Sequence, residues 1–169
     1  MFDAENTLWA LTSDNGACCL PANLQAIHYS SIPASNEGNR VNSFVEYGEN
    51  LIIGTENGLW EYRLGSGVLK KHPLRHNSKD ITNVNVITLT GNRLWIGTNG
   101  EGAYTVDMFT GAVRNYKHDE TLMGTISGND VLSIQKRVNG RYEIGTRFGL
   151  CEYRPESDSF TPRVSIGSM

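Results

Sequence analysis

Long apolar runs are missing from this 169-residue sequence. No stretch approaches the roughly 18 uninterrupted apolar residues that a membrane-spanning helix needs. No stretch shows a convincing helical period either, which points to an all-β chain. Cysteine is scarce: Cys18, Cys19 and Cys151 make neither a CxxC pair nor an even framework. Neither a zinc knuckle nor a disulfide scaffold is therefore expected. Adjacent cysteines strain any bridge between them, so Cys18 and Cys19 read as two buried thiols packed as small apolar groups. Charge of one sign is also lacking. A net charge of −3 excludes bulk attraction to nucleic acid or to an anionic membrane surface. No charged-then-apolar leader precedes Leu8, so a secretory signal is expected to be absent or already removed. The 38% hydrophobic and 20% charged content suits a folded domain and excludes a disordered chain.

What the chain has is a repeat. Residues 94–107 read LWIGTNGEGAYTVD: an apolar run, a break at Gly97-Thr98, a turn rich in Gly and Asn, and a second β-rich run. Such a pattern is a tight hairpin. LIIGTENGLWEY (51–62) and YEIGTRFGLCEY (142–153) repeat it, and LWALTSDNGACCL (8–20) is a worn copy. Thr12, Thr55, Thr98 and Thr146 anchor the copies at spacings of 43, 43 and 48 residues. Columns then align: Trp9, Ile52, Trp95 and Glu143; Ala10, Ile53, Ile96 and Ile144; Cys18, Trp60, Tyr104 and Cys151. A period of this length is that of propeller blades.

Each copy accommodates four short strands, A to D from the axis outward. The second repeat places them at Arg40–Tyr47, Leu51–Gly54, Leu59–Arg63 and Val68–His72. The third places them at Asn83–Thr90, Leu94–Gly97, Ala103–Asp107 and Ala112–Tyr116. The fourth places them at Asp130–Val138, Tyr142–Gly145, Leu150–Arg154 and Ser159–Arg163. The first repeat offers only B (Leu8–Leu11), C (Ala17–Leu20) and D (Gln25–Tyr29), because Phe2–Asn6 is too short for strand A and its turn. The expectation is a single partial β-propeller over residues 1–169, with repeats near 2–37, 38–80, 81–126 and 127–166, cut from a larger ring.

Catalytic and metal chemistry is hard to find. His72 and His76 are four apart, but Pro73 lies between them and no acidic residue adjoins them in sequence, so they read as a solvated loop. The Gly-Thr pairs follow strands without opening helices, which makes them turns and not phosphate cradles. Glu56 and Glu101 fall on inner loops without a histidine, which argues against an enzyme. No cofactor is expected. Trp9, Trp60 and Trp95 have two readings: indole faces stacked on sugars, or the filling between adjacent blades, which their repeated columns favour.

LWIGT, a glycine turn, an aromatic strand C and a TG turn before strand D together resemble the two-component regulator propeller repeat. Val41-Asn42-Ser43-Phe44 and Val131-Leu132-Ser133-Ile134 are similar to its strand A, and DAENTLW (3–9) to its approach to strand B. The resemblance runs from about Asp3 to Arg163, with departures at Leu11, Ile52 and Glu143. It implies the periplasmic sensor half of a bacterial hybrid histidine kinase, a non-catalytic input region that recognises glycan fragments.

The candidate ligand residues are positional. In a propeller the D-to-A connections and the B-to-C turns meet at one mouth of the channel. Here they hold Arg40, Asn42, Glu56, Asn57, Asn83, Asn85, Asn99, Glu101, Asn129, Asp130 and Arg147. Amides and guanidinium groups suit the hydroxyls and carboxylate of a sugar acid. The competing reading is that tight turns simply prefer Asn and Asp. An alternative function is a scaffold that docks a protein partner, for which a broad apolar patch would be the sign. A four-repeat chain with apolar end faces would either close on itself or pair with a second copy, and a homodimer through the end blades is expected.

Overall fold

The glycine-bounded β-rich runs fold as written, each pairing with the next. The structure, a computed structural model, describes residues 8–12, 16–20, 28–30 and 40–165; within the first three stretches it describes the side chains of Leu8, Trp9 and Cys19. Among the described residues every regular element is a strand, and all pairing within sheets is antiparallel.

The first sheet has three strands, β1 (Leu8–Thr12), β2 (Gly16–Leu20) and β3 (His28–Ser30). The second has β4 (Val41–Tyr47), β5 (Asn50–Thr55), β6 (Gly58–Arg63) and β7 (Leu69–His72). A two-stranded hairpin follows, β8 (Arg75–His76) and β9 (Lys79–Asp80). The third sheet has β10 (Val84–Thr90), β11 (Arg93–Thr98), β12 (Ala103–Asp107) and β13 (Val113–Tyr116). The fourth has β14 (Val131–Lys136), β15 (Tyr142–Thr146), β16 (Gly149–Arg154) and β17 (Ser159–Ser165). Each sheet is ordered as the chain runs. These are the meandering sheets of β-propeller blades, the first without an innermost strand among the described residues.

Most strand expectations match within a residue or two. Three differ. Residues 75–80 form a hairpin where the sequence reads as loop, because Asn77 and Ser78 both adopt positive φ (49° and 64°), as a tight two-residue turn requires. Strand β14 stops at Lys136 and not at Val138, since the Arg137–Arg141 turn closes there. The stretch Phe2–Asn6 and residues 25–27 of the expected outer strand lie outside the described residues.

The second and third sheets each pack one face on the sheet before and the other on the sheet after. The column Trp9, Ile52, Trp95 points forward. Trp9 packs with Val41, Leu51 and Ile53 of the second sheet. Ile52 packs with Val84, Leu94 and Ile96 of the third. Trp95 packs with Val131, Tyr142, Ile144, Cys151, Tyr153 and Phe160 of the fourth. The core is therefore three inter-sheet layers. Trp95 is completely buried. A buried Trp removes about 150–250 Å² from water, an upper figure of roughly 4–6 kcal/mol at about 25 cal/mol per Å². Trp9 and Trp95 are thus filling between sheets, while Trp60 is half-buried beside the first layer. Cys19, expected to be buried, is only half-buried, at the edge of the first layer; the side chain of Cys18 lies outside the described residues, and Cys151 is buried.

Candidate functional site

The Gly-Thr column builds the edge on which the candidate residues sit. Thr55, Thr98 and Thr146 are buried at the ends of β5, β11 and β15. Their hydroxyls donate to the carbonyls of Gly58 (3.0 Å), Gly102 (2.7 Å) and Gly149 (3.0 Å). They accept from the backbone amides of Asn57 (3.1 Å), Glu101 (3.2 Å) and Phe148 (3.2 Å). One hydroxyl thus ties each turn closed, a job a buried Val cannot do.

The glycines before Thr55 and Thr98 serve packing against the next sheet. A Cβ on Gly54 would stand 2.6 Å from Val84 Cγ1, and one on Gly97 2.5 Å from Val131 Cγ1. The first residue of the next sheet's inner strand occupies that space. A bulge at Val41/Ser43, Val84/Val86 and Val131/Ser133 turns each of these valines inward.

The B-to-C turns and the D-to-A connections do meet along one edge. Backbone bonds clamp them: Asn83 N to Glu56 O (2.7 Å), Asn99 N to Asn83 O (2.9 Å), Gly100 N and Gly102 N to Asn129 O (3.1 and 2.9 Å), Arg147 N to Asp130 O (3.0 Å). Side chains at matching columns pair as well. Arg40 reaches Glu56 at 3.2 Å, and in the fourth sheet the signs are exchanged, with Arg147 3.9 Å from Asp130.

The candidates therefore divide. Asn42 and Asn85 hold the next sheet: their Nδ2 groups donate to Val84 O (2.7 Å) and Val131 O (3.1 Å). Asn42 Oδ1 also accepts from Arg40 Nε at 2.9 Å. Asn129 Oδ1 accepts from His118 N at 2.8 Å. Glu101 is bracketed by Lys117 (2.6 Å) and Lys79 (3.0 Å), whose hydrogen bonds hold its carboxyl below the usual range. Arg40, Asn83, Asn99 and Arg147 are exposed, and Asn57, Asp130 and Glu56 are half-buried. This edge can present donors from Arg40, Asn83, Asn99 and Arg147 to a polyhydroxylated or carboxylate-bearing ligand.

His72, His76 and His118 gain partners that the sequence did not show. Cross-strand pairing brings Glu61 Oε2 to 3.4 Å from His72 Nδ1, and the new hairpin sets the His76 ring 5.8 Å from that of Tyr104. His118 Nδ1 bonds Ile126 O at 2.7 Å. Among the described residues no group of three or more His, Cys, Asp or Glu side chains is placed to hold a metal ion.

Two features escaped the sequence. Glu152 is buried on the forward face of the fourth sheet, ringed by Arg141 (3.1 Å), Arg154 (3.5 Å) and Arg163. Leu122, Met123 and Phe148 stand exposed around one hollow. Phe148 had a faint sign, an aromatic where the second repeat has Asn57.

No family profile and no curated protein matches the sequence. Solved structures do. Two extracellular domains described as belonging to hybrid two-component systems of B. thetaiotaomicron align over 99% and 94% of this chain, at 22% and 21% identity and TM-scores of 0.79 and 0.70. This chain spans about a fifth of their length, 21% and 22%. YCF48, solved with a D1 peptide bound, aligns over 95% of this chain and 52% of its own, at 14% identity and a TM-score of 0.66. No helix among the described residues is long and apolar enough to cross a membrane. These neighbours share the fold of this chain.

Proposed function

We propose that this chain is a non-catalytic sensory segment, part of the periplasmic input region of a two-component regulator, and that it recognises glycan fragments along the clamped edge. The observation that carries this reading is that edge: successive sheets bring the same two columns together and leave Arg40, Asn83, Asn99 and Arg147 exposed. The fold shared with extracellular domains of hybrid two-component systems supports it. Ligand binding would act by favouring one arrangement of the sheets or of a pair of chains. Calorimetry with uronate-containing and neutral oligosaccharides tests it. A saturable uronate signal, weakened at least tenfold in Arg40→Ala or Arg147→Ala, is expected. No saturable binding, or binding indifferent to both substitutions, removes the reading.

Pairing of two chains through their end sheets belongs to the same proposal. The forward face of the fourth sheet has a charged centre and not the apolar one expected from the repeat, so the contact is salt-sensitive. Light scattering at micromolar concentration should report about twice the 18.7 kDa chain mass, falling in molar salt. A single-chain mass under all conditions excludes pairing.

A further inference from the structure

The connection from β13 to β14, residues 117–130, passes over the turn between β15 and β16 and leaves a hollow of about 290 Å³ there. Leu122, Met123 and Phe148 stand around it, 60%, 101% and 54% exposed. Their backbones are held in place. Phe160 N donates to Gly124 O at 2.9 Å, and His118 bonds both Ile126 O and Asn129 Oδ1. Gly128 leaves room for the Phe148 ring, since a Cβ there would stand 2.8 Å from Cδ2. Three large apolar side chains exposed on a well-braced surface are an unusual expense of solvation for a free surface.

The charge of the hollow is one-sided. Asp119 and Glu120 line it, and no Lys or Arg does. Hydrogen bonds from Thr121 to Asp119 keep that carboxyl below the usual range, so it is ionised at neutral pH. Two carboxylates reject a sugar acid. The volume lies at the floor of small-ligand pockets, roughly 300–1,000 Å³, and suits one large side chain. Eleven residues line the hollow, too few for the roughly 20–30 per side of a stable globular interface. Leu and Met around a single Phe make an adaptable apolar socket and not a flat sugar platform.

We infer that this hollow docks an extended protein segment that inserts a leucine- or methionine-sized side chain between Leu122, Met123 and Phe148, with a flanking Lys or Arg facing Asp119 and Glu120. The hollow adjoins the clamped edge, since Phe148 follows Arg147 and Ser127 lies two residues before Asn129, but none of the residues proposed to hold a glycan lines it, so the inference does not depend on glycan recognition. Recognition would combine one buried apolar anchor with charge complementarity at the rim.

The test is an NMR titration of the 169-residue chain with two capped pentapeptides, Gly-Lys-Leu-Lys-Gly and Gly-Glu-Leu-Glu-Gly. The lysine peptide should shift the Met123 methyl and Phe148 ring signals with saturation, and the glutamate peptide should bind at least tenfold more weakly. Met123→Lys should abolish the Phe148 ring shift with an unchanged circular dichroism spectrum. Glu120→Gln should weaken it about threefold or more. Equal response to both peptides, no saturable response, or undiminished binding by Met123→Lys overturns the inference. So does a neutral disaccharide that moves these signals where the peptide does not, or a shift that follows protein concentration alone, which would make a second copy the occupant.

Discussion

The forward faces of the third and fourth sheets have the same backbone and opposite characters. On the third, Trp95 lies at the centre and meets Tyr116, Tyr142 and Tyr153 with ring centroids 5.6, 5.1 and 4.9 Å away. On the fourth, the same column holds Glu143, and the register carries Gln135, Glu143, Glu152 and Thr161 across the four strands. Arginines then cover Glu152. Leu132, in the column where Asn42 and Asn85 tie down the next sheet, is 59% exposed. The difference teaches that strand order and turns are set by the repeated skeleton, while the forward-facing column sets whether the centre of a face is aromatic or charged.

The largest effect should come from the centre of the packed face. Trp95→Ala should destabilise the chain by about 3–5 kcal/mol in denaturant unfolding. Trp95 Nε1 is buried without a hydrogen-bond partner, so Trp95→Phe loses area but also relieves an unsatisfied donor. Its cost should be well below half that of the alanine variant. Similar costs for both would mean that ring area is not what binds these sheets.

A smaller effect lies at the rim of the same junction. Asp158 stands in the turn between β16 and β17 at φ 50°, where the matching positions of the other two turns are Gly67 and Gly111. Asp tolerates that left-handed backbone better than most residues. Its carboxylate accepts from Tyr116 (2.7 Å) and Tyr153 (2.8 Å) and pairs with Arg114, tying β13 of the third sheet to the fourth. Burial pushes its pKa up, but the two phenol hydrogen bonds and the Arg114 charge together outweigh this and leave it lowered. A lowered carboxylate pKa contributes stability above the unfolded value, about 3.9, and that stability is lost as pH falls through the folded value. Other carboxylates titrate in the same window, so the informative quantity is a difference. Between pH 6 and 3 the wild type should lose more melting temperature than Asp158→Asn. Identical losses would show that the rim pin contributes nothing.

Much of the architecture was legible. The Gly-Thr period located the hairpins, because a turn that needs a buried hydroxyl and a glycine admits few substitutes. The Trp9, Ile52, Trp95 column correctly marked inter-sheet filling. The hairpin at residues 75–80 was not legible, since Asn77-Ser78 is a weak turn signal and its strands are two residues long. Of the site, the meeting of turns and connections was readable from topology. That Asn42 and Asn85 are committed to the neighbouring sheet was not, because their acceptors lie 42 and 46 residues away.

The sequence by itself determined the strand order, the turns and the inward and outward columns, all of which follow from local periodicity and from what glycine, threonine and β-branched residues can do in a short stretch. Only the tertiary structure decided which polar groups are spent on each other. Arg40 with Glu56, Glu101 with two lysines, Glu152 with Arg141 and Arg163, and the meeting of Leu122 and Met123 with Phe148 each join residues from different elements. Charge pairing and apolar exposure depend on distance in space, which a run of residue types does not encode until the sheets are stacked.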